Sequence, residues 1–375
     1  MAVKTGANVW NESGFVALRG KRIGFIGNHT AVLADGTPTL AALSHSPGVT
    51  VAALFGPEHG AFGTIDDTVP DMVEPMTGLP INSLYGKHKK PTPEMLAGID
   101  ALVFEMQDIG ARFYTYASTL GLCLEACVES NIPLIVLDRP NPITGRHCEG
   151  PIADSDRLSF TAYHTIPVRH GLTLGELARL YAAELHCGES VIVAPCDGLT
   201  RAMWFDETAI AWRNPSPAMK SLDAATLYPG VCLLEQTNFS VGRGTATPFE
   251  LIGAPYVQSG PWLDALAALN LSGVSFAAES FRPTLRDYSG IQCHGVRITI
   301  TDRQALNAVK LGIGLVTTLK TVAPEFESAG VLNLLANTKA CSLIESGASV
   351  DEVTASWRGD LDTWETRRST ALIYE

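Results

Sequence analysis

The first half of the chain shows short, almost continuously apolar runs separated by stretches with helical periodicity. The runs are rich in β-branched residues, which is typical of strands that are buried on both faces of a parallel sheet. Five strands are predicted in this way, at residues 22–28, 49–56, 101–107, 133–138 and 191–196.

The stretches between these runs carry helix signals. Ala117, Leu120 and Leu124 repeat at the 3.6-residue spacing of a helix, and Thr173 with Glu176 forms a T-x-x-E capping box that begins another. The alternation of strands and helices predicts βαβ units. The fold class that follows is α/β, with a Rossmann-like, mainly parallel sheet flanked by helices.

The pattern changes twice beyond the fifth strand. Residues 196–255 are rich in Pro, Trp, Asn and Gly and are predicted to form ordered loops with little regular structure. After this stretch, an alternating strand at 294–301 and a helix to about Val322 predict a smaller α+β unit. We therefore predict a Rossmann-like catalytic domain over residues 1–250 and a smaller α+β auxiliary domain over residues 251–375.

Composition narrows the class of protein. Of the 375 residues, 46% are hydrophobic and 18% are charged, which is enough apolar material for folded cores. The net charge of −12 repels phosphate backbones, so no nucleic-acid partner is expected. No apolar stretch approaches the ~18 residues that would predict a membrane span. The first residues lack the pattern of a signal peptide, and a cytoplasmic location is expected.

Motifs for nucleotides and metals are incomplete. Gly242-Arg243-Gly244 begins like a dinucleotide-binding loop, but Thr247 stands where the third glycine is needed. No P-loop, G-x-S-x-G or H-E-x-x-H motif occurs. The sequence therefore predicts neither a nucleotide cofactor nor a metal.

Polar residues follow four consecutive predicted strands at their carboxyl ends, where open α/β sheets bind ligands. Each residue alone has a structural alternative, because Asp and Asn at strand ends are common turn and capping residues. All four groups together predict a ligand-binding crevice. They are Asn28 with His29, Glu58 with His59, Glu105, Gln107, Asp108 and Arg112 after the third strand, and Asp138, Arg139 and Asn141 after the fourth.

Glu58 is the strongest single candidate for a functional residue in this crevice. It lies in the segment GPEHG, where proline and glycine predict a tight turn that leaves the carboxyl group little covered. The alternative is a loop glutamate that caps the next helix. His59 beside it has the chemistry of a base or of a metal ligand, but no second residue has the spacing of a metal ligand. It is therefore counted among the predicted substrate contacts.

Further candidates have the chemistry to bind an anionic sugar. Arg binds carboxylates as a planar fork, and Tyr stacks on sugar rings. A helix N-terminus, such as the one that follows Arg169 and His170, favours anions. The alternatives are an internal Asp108–Arg112 ion pair and solvated loop residues. The predicted substrate contacts are Asn28, His59, Arg112, Tyr114, Tyr116, Asn141, Arg169, His170, Asn238 and Arg243.

Several long segments are more specific than any short motif. They include FGPEHG, LPINSLYGKHKKPTPEML, ALVFEMQDIGARFYTY, LDRPNPITG, IPVRHGLTLGELARLY and YPGVCLLEQTNFSVGRGTATPFELIGAP. In sequence and order, these segments resemble those of the exo-β-N-acetylmuramidases, a family of glycoside hydrolases. The resemblance extends from about Gly24 to Tyr374.

The resemblance implies cleavage of β-1,4-linked N-acetylmuramic acid from the non-reducing end of peptidoglycan fragments, without a cofactor. The partner would be a small muramyl saccharide, bound in a cleft between the Rossmann-like and auxiliary domains. Glycosidases usually use two carboxyl groups. Glu58 is the candidate for one, and Glu149 and Asp108 compete for the second, unless the 2-acetamido group of the sugar acts as the nucleophile.

Muramic acid also carries a lactyl carboxylate, which calls for cationic donors. Arg112, Arg169 and Arg243 are the candidates. The alternative function is a non-catalytic protein that binds muropeptides or sugars in the same cleft.

Overall fold

The structure is a computed structural model that describes residues 2–63 and 70–375. Within these residues the chain forms twelve strands. They are β1 (Arg22–Gly27), β2 (Thr50–Gly56), β3 (Met72–Val73), β4 (Pro80–Ser83), β5 (Ala101–Glu105), β6 (Leu134–Leu137), β7 (Glu149–Ile152), β8 (Pro167–Arg169), β9 (Val191–Ala194), β10 (Leu251–Ala254), β11 (Val274–Phe281) and β12 (Cys293–Ile300).

The described residues also form eleven α-helices. They are α1 (Gly6–Glu12), α2 (Thr39–His45), α3 (Tyr116–Glu129), α4 (Leu174–Glu184), α5 (Leu222–Val231), α6 (Ser259–Ala268), α7 (Ala308–Val322), α8 (Val331–Leu335), α9 (Thr338–Glu345), α10 (Val350–Ala355) and α11 (Arg358–Ser369).

The largest sheet has seven strands in the order β3-β4-β2-β1-β5-β6-β9, and all neighbours are parallel except β3 and β4. From β1 the chain passes to β2 on one side and later returns to β5 on the other. Gly27 of β1 and Glu105 of β5 are paired at the carboxyl edge. This edge is therefore the point where the connections diverge, and ligands of open α/β sheets bind there.

Both faces of this sheet are covered, as the apolar runs predicted. Leu102 and Phe104 of β5 pack into a large core that includes α3 and α4. Ala101 and Val103, on alternate positions of the same strand, belong to a second core that includes residues of α1 and α2. Because successive side chains of a strand point to opposite faces, a strand in this position must be apolar throughout.

The second unit is built on the antiparallel sheet β10-β12-β11. Helix α6 packs against this sheet and against α7, which in turn packs against α5. At the α5–α7 contact, a Cβ atom on Gly312 would lie 2.4 Å from the Gly230 carbonyl oxygen, so the two backbones touch. The large core continues from the Rossmann-like sheet to Val309 of α7, and both units share it.

The five predicted strands and the helices predicted around Ala117 and after Thr173 are confirmed. The capping box of Thr173 and Glu176 is formed in both directions. The prediction of loops over residues 196–255 is wrong at α5 and β10. Helix α5 contains Pro229 and is buried on nearly all sides, so packing outweighs its poor helix-forming sequence.

The proposed domain boundary at residues 250 and 251 falls directly before β10. In the described part of the chain, no helix has both the length and the apolar character needed to span a bilayer.

The end of α4 carries an ion cluster with a testable pH dependence. The Glu184 carboxylate lies 2.6 Å from His164 Nε2 and also binds the Arg367 guanidinium of α11. Burial alone would raise the pKa of Glu184, but the hydrogen bonds and charges of His164 and Arg367 outweigh it and lower the pKa to about 2. The cluster therefore favours the ionised carboxylate in the folded state.

We expect Glu184→Gln to lower the free energy of unfolding by about 1–2 kcal/mol at pH 5.5, after allowance for solvent screening of this half-buried group. A depressed pKa stabilises the fold above the ordinary Glu value of 4.5, and this contribution is lost as the pH falls towards 2. Urea denaturation at several pH values should show the variant and wild type converging below pH 4.5, whereas exposed Glu189→Gln has no such trend. A constant difference between pH 5.5 and 2.5 would contradict this assignment.

Candidate active site

A cavity of about 370 Å³ is lined by residues from the loops of the Rossmann-like sheet, from the segment 228–249 and from the second unit. This volume is within the range of small-molecule binding sites. The Rossmann-like side contributes Glu58, His59, Tyr85, Tyr114, Thr115 and Phe160, among others. The later part of the chain contributes Tyr228, Cys232, Glu235, Arg243, Phe249 and Asp287.

Glu58 lies on the predicted tight turn after β2. The Gly60 amide donates to the Pro57 carbonyl at 2.9 Å, and His59 and Gly60 both have positive φ angles, of 68° and 74°. The half-buried Glu58 side chain accepts a hydrogen bond from the Thr115 hydroxyl through Oε2. The turn therefore presents the Glu58 carboxylate to the cavity and does not use it as a cap.

Thr115 is the N-cap residue of α3, yet its hydroxyl makes no capping bond to that helix. It donates to Glu58 instead. The Glu58 carboxylate thus lies at the N-terminal end of α3, where the helix dipole favours negative charge.

Glu235 is a second carboxylate on the cavity wall and was not among the residues predicted from the sequence. Its Oε1 accepts from Nε of Arg243, and its Oε2 accepts from the Cys232 thiol at 3.2 Å. The Glu235 side chain is half-buried and lines the cavity. One feature of the sequence pointed to Glu235: it lies in the segment LLEQTNFSVGRGT, which also contains the predicted substrate contacts Asn238 and Arg243.

Tyr114 and Tyr116 have different roles although they are two residues apart. Tyr114 lines the cavity, and burial raises the pKa of its hydroxyl. Tyr116 lies behind it, where its hydroxyl donates to the Pro215 carbonyl at 2.7 Å and accepts from Asn28 Nδ2 at 2.9 Å. Asn28 therefore supports Tyr116 and does not face the cavity.

We expect Tyr114→Phe to lower kcat/KM about 3- to 10-fold, the usual effect of losing one uncharged hydrogen bond to a substrate. The Tyr114 hydroxyl lies close to the side chains of Ser216 and Tyr116, but among the described residues it has no partner in full bonding geometry, and Tyr114 lines the cavity. Tyr116→Phe is the matched control, since its hydroxyl is occupied by Pro215 and Asn28; it should lower thermal stability more than turnover. If both variants lose the same fraction of kcat/KM, the Tyr114 hydroxyl does not bind the substrate.

Arg112 does not reach the cavity, although it was a predicted substrate contact. Its guanidinium is 1% exposed and donates to the carbonyl groups of Pro151, Ile166, Leu334 and Leu335 at 2.7–3.0 Å. Burial lowers its pKa to about 9. We therefore assign it the structural role of fastening α8 to the Rossmann-like unit.

Glu149 and Arg169 form a buried ion pair outside the cavity. The second Glu149 oxygen accepts from the Val309 amide at 3.1 Å, in the first turn of α7, and Arg169 also donates to the Ile143 carbonyl. Both side chains are at most 5% exposed. The structure thus places both in the packing between the units, in contrast to the predicted catalytic and anion-binding roles.

Asp108, His170 and Asn141 are also buried behind the cavity. Asp108 Oδ2 accepts from the Gly110 amide at 2.8 Å and lies 3.6 Å from His170 Nε2. Asn141 donates to the Leu172 carbonyl and accepts from the Ile143 amide. The three residues shape the loops at the carboxyl edge, and the structure does not bring Asp108 to the cavity wall with Glu58.

Two of the remaining predicted contacts, His59 and Arg243, line the cavity. Asn238 instead binds the backbone of Glu325 and Glu327 and the Tyr256 hydroxyl. Across residues 2–63 and 70–375, no three His, Cys, Asp or Glu side chains are grouped so as to hold a metal ion.

The polar residues at the other strand ends bind one another. Arg139 Nη1 lies 2.8 Å from the buried Glu105 carboxylate, and Asp138 accepts from the hydroxyls of Thr173 and Tyr374. The crevice that the sequence predicted is therefore largely a structural network, and Glu58 is the carboxylate of the four groups that faces the cavity.

Two family models match the chain over most of its length. The N-terminal domain of the exo-β-N-acetylmuramidase NamZ matches residues 23–223, and the C-terminal domain of the same family matches residues 226–374. The chain belongs to the NamZ exo-β-N-acetylmuramidase family. The resemblance predicted from the motifs is confirmed, and with it the assignment to a family of glycosidases.

Relatives of known name or structure support this membership of the NamZ family. The peptidoglycan β-N-acetylmuramidase NamZ of Bacillus subtilis (strain 168) is 42% identical over an alignment 378 residues long, which covers 99% of this chain and 91% of the relative. Two crystal structures of DUF1343 family proteins from Bacteroides fragilis NCTC 9343 cover 100% of this chain and 99% of theirs. Their TM-scores are 0.93 and 0.81, at 32% and 30% identity.

Proposed function

We propose that this chain releases N-acetylmuramic acid from the non-reducing end of β-1,4-linked peptidoglycan fragments, and that the cavity lined by Glu58 is the active site. The observation that carries the proposal is that two carboxylates, Glu58 and Glu235, line one cavity. Membership of the NamZ family supports the reaction. Such a reaction contributes to the turnover of cell-wall material.

Hydrolysis of a glycosidic bond needs a proton for the leaving oxygen and a second group that stabilises positive charge at the anomeric carbon. Two positioned carboxyl groups supply these functions, whether the attack on that carbon comes from a carboxylate or from the 2-acetamido oxygen of the sugar. Glu58 is held by Thr115, and Glu235 is held by Arg243 and Cys232. Each carboxylate thus has an orientation that is fixed before the substrate binds.

The remaining cavity wall suits a pyranose ring. Tyr114, Tyr228 and Phe249 form an aromatic cluster in which neighbouring rings are 4.9–5.7 Å apart. Aromatic faces pack against the C–H groups of sugars, and the hydroxyl groups of tyrosine donate to their oxygens. Arg243, whose guanidinium carbon lies 5.5 Å from the Phe249 centroid, adds a positive charge to the same wall.

The test is hydrolysis of a chromogenic β-N-acetylmuramide beside the matching glucosaminide, followed by product analysis on a MurNAc-GlcNAc disaccharide. We expect chromophore release from the muramide and free N-acetylmuramic acid from the disaccharide. Binding of the disaccharide without turnover would support the alternative, a non-catalytic sugar-binding protein. Cleavage of only the internal glycosidic bonds of longer fragments would contradict the exo-acting mode.

A further inference from the structure

A lysine lies at the rim of the cavity between two aromatic rings. Lys89 Nζ is 3.5 Å from the centroid of Tyr85 and 4.5 Å from the centroid of Phe160. Both rings line the cavity, and their centroids are 5.9 Å apart. Since a cation is attracted to the face of an aromatic ring, the two rings hold the ammonium group of Lys89 at the cavity edge.

Lys89 differs from Arg243 and Lys90 in its partners. Arg243 pairs with Glu235, and Lys90 binds Glu125 at 3.0 Å and Glu129 at 2.6 Å on α3. Across the described ranges, 2–63 and 70–375, Lys89 forms no ion pair with a carboxylate. Its charge is therefore not neutralised within the part of the protein that the structure describes.

The position of Lys89 also shields part of its side chain from water. The side chain is half-buried, and burial lowers the pKa of its ammonium group, while the negative charge of Glu58 acts in the opposite direction. A partly desolvated cation without a carboxylate partner gains when an anionic ligand supplies one.

We propose that Lys89 binds the lactyl carboxylate of the muramic acid residue and thereby determines the preference for muramides over glucosaminides. This inference rests on the proposed function. The lactyl ether is attached to C3 of the sugar, two bonds from the anomeric carbon at which hydrolysis occurs. A cation that binds this group must lie near the carboxylates that act on C1. Lys89 lies against Tyr85 and Phe160, and both rings line the same cavity as Glu58 and Glu235.

The experiment compares Lys89→Met with Lys90→Met, the same substitution on the adjacent residue whose ammonium group binds α3. Substrates are the chromogenic muramide, its derivative with the lactyl carboxylate converted to a carboxamide, and the glucosaminide. We expect Lys89→Met to raise KM for the muramide about tenfold or more, with a change in kcat of less than about threefold. Lys90→Met should retain the wild-type kinetics.

The carboxamide substrate isolates the charge interaction. Wild type should lose most of its preference for the muramide when the carboxylate becomes a carboxamide, whereas Lys89→Met should treat the two substrates alike. Lys89→Arg, which keeps the charge, should restore part of the difference. If Lys89→Met discriminates between carboxylate and carboxamide as wild type does, Lys89 does not read this group. A wild-type protein that hydrolyses no muramide would instead overturn the proposed function.

Discussion

Glu58→Gln should lower kcat on the chromogenic muramide by about 10²–10⁴-fold and leave the fold intact. The amide has nearly the same shape, and its oxygen still accepts the hydrogen bond from Thr115. It neither transfers a proton nor carries the negative charge that stabilises the transition state. The measurement is steady-state kinetics together with the thermal melting temperature of the same sample.

Two further variants are needed to interpret this result, one as a control and one at the second carboxylate of the cavity. Glu94→Gln makes the same change on an exposed residue outside the cavity and should retain wild-type kinetics. Glu235→Gln should also lower kcat, because Glu235 is a second carboxylate that lines the same cavity. A Glu58→Gln protein with near-normal turnover would show that another group performs the chemistry, and Glu235 with Asp287 would then be the carboxylates to examine in the cavity.

The main sheet could be predicted because its signal is local. A strand such as β5 is buried on both faces, so each of its residues is apolar and the run is visible in the sequence alone. Helix α5 could not be predicted in this way. Its Pro229 and Gly230 disfavour a helix, and its stability comes from packing against α7, about 80 residues later in the chain.

The site was harder to predict than the sheet, because a polar residue at a strand end does not reveal its partner. Arg112 has the chemistry of a carboxylate binder, yet two of its acceptors are carbonyl groups 222 and 223 residues away. Glu58 was identifiable because its own turn exposes it. Glu235 and Lys89 acquire their roles only when the second unit and the loop after β4 close the cavity.

Arg169 illustrates the same difficulty and allows a sharp test. The sequence predicted that it binds the lactyl carboxylate, since it precedes the capped N-terminus of α4. In the structure its guanidinium is 1% exposed and is bound by Glu149 and the Ile143 carbonyl. A substrate has no access to a group in this position, and Arg169 should govern stability instead of specificity.

We expect Arg169→Met to lower the free energy of unfolding by about 3–5 kcal/mol, because it leaves the Glu149 carboxylate buried without its cation. The folded fraction should keep its preference for the muramide. Adding Glu149→Gln to Arg169→Met should recover part of the loss, since a neutral amide costs less to bury and its oxygen still accepts from the Val309 amide at the start of α7. Urea denaturation of the two single variants and the double variant measures this coupling. A stable Arg169→Met protein that no longer distinguishes muramide from glucosaminide would restore the anion-binding role that the sequence predicted.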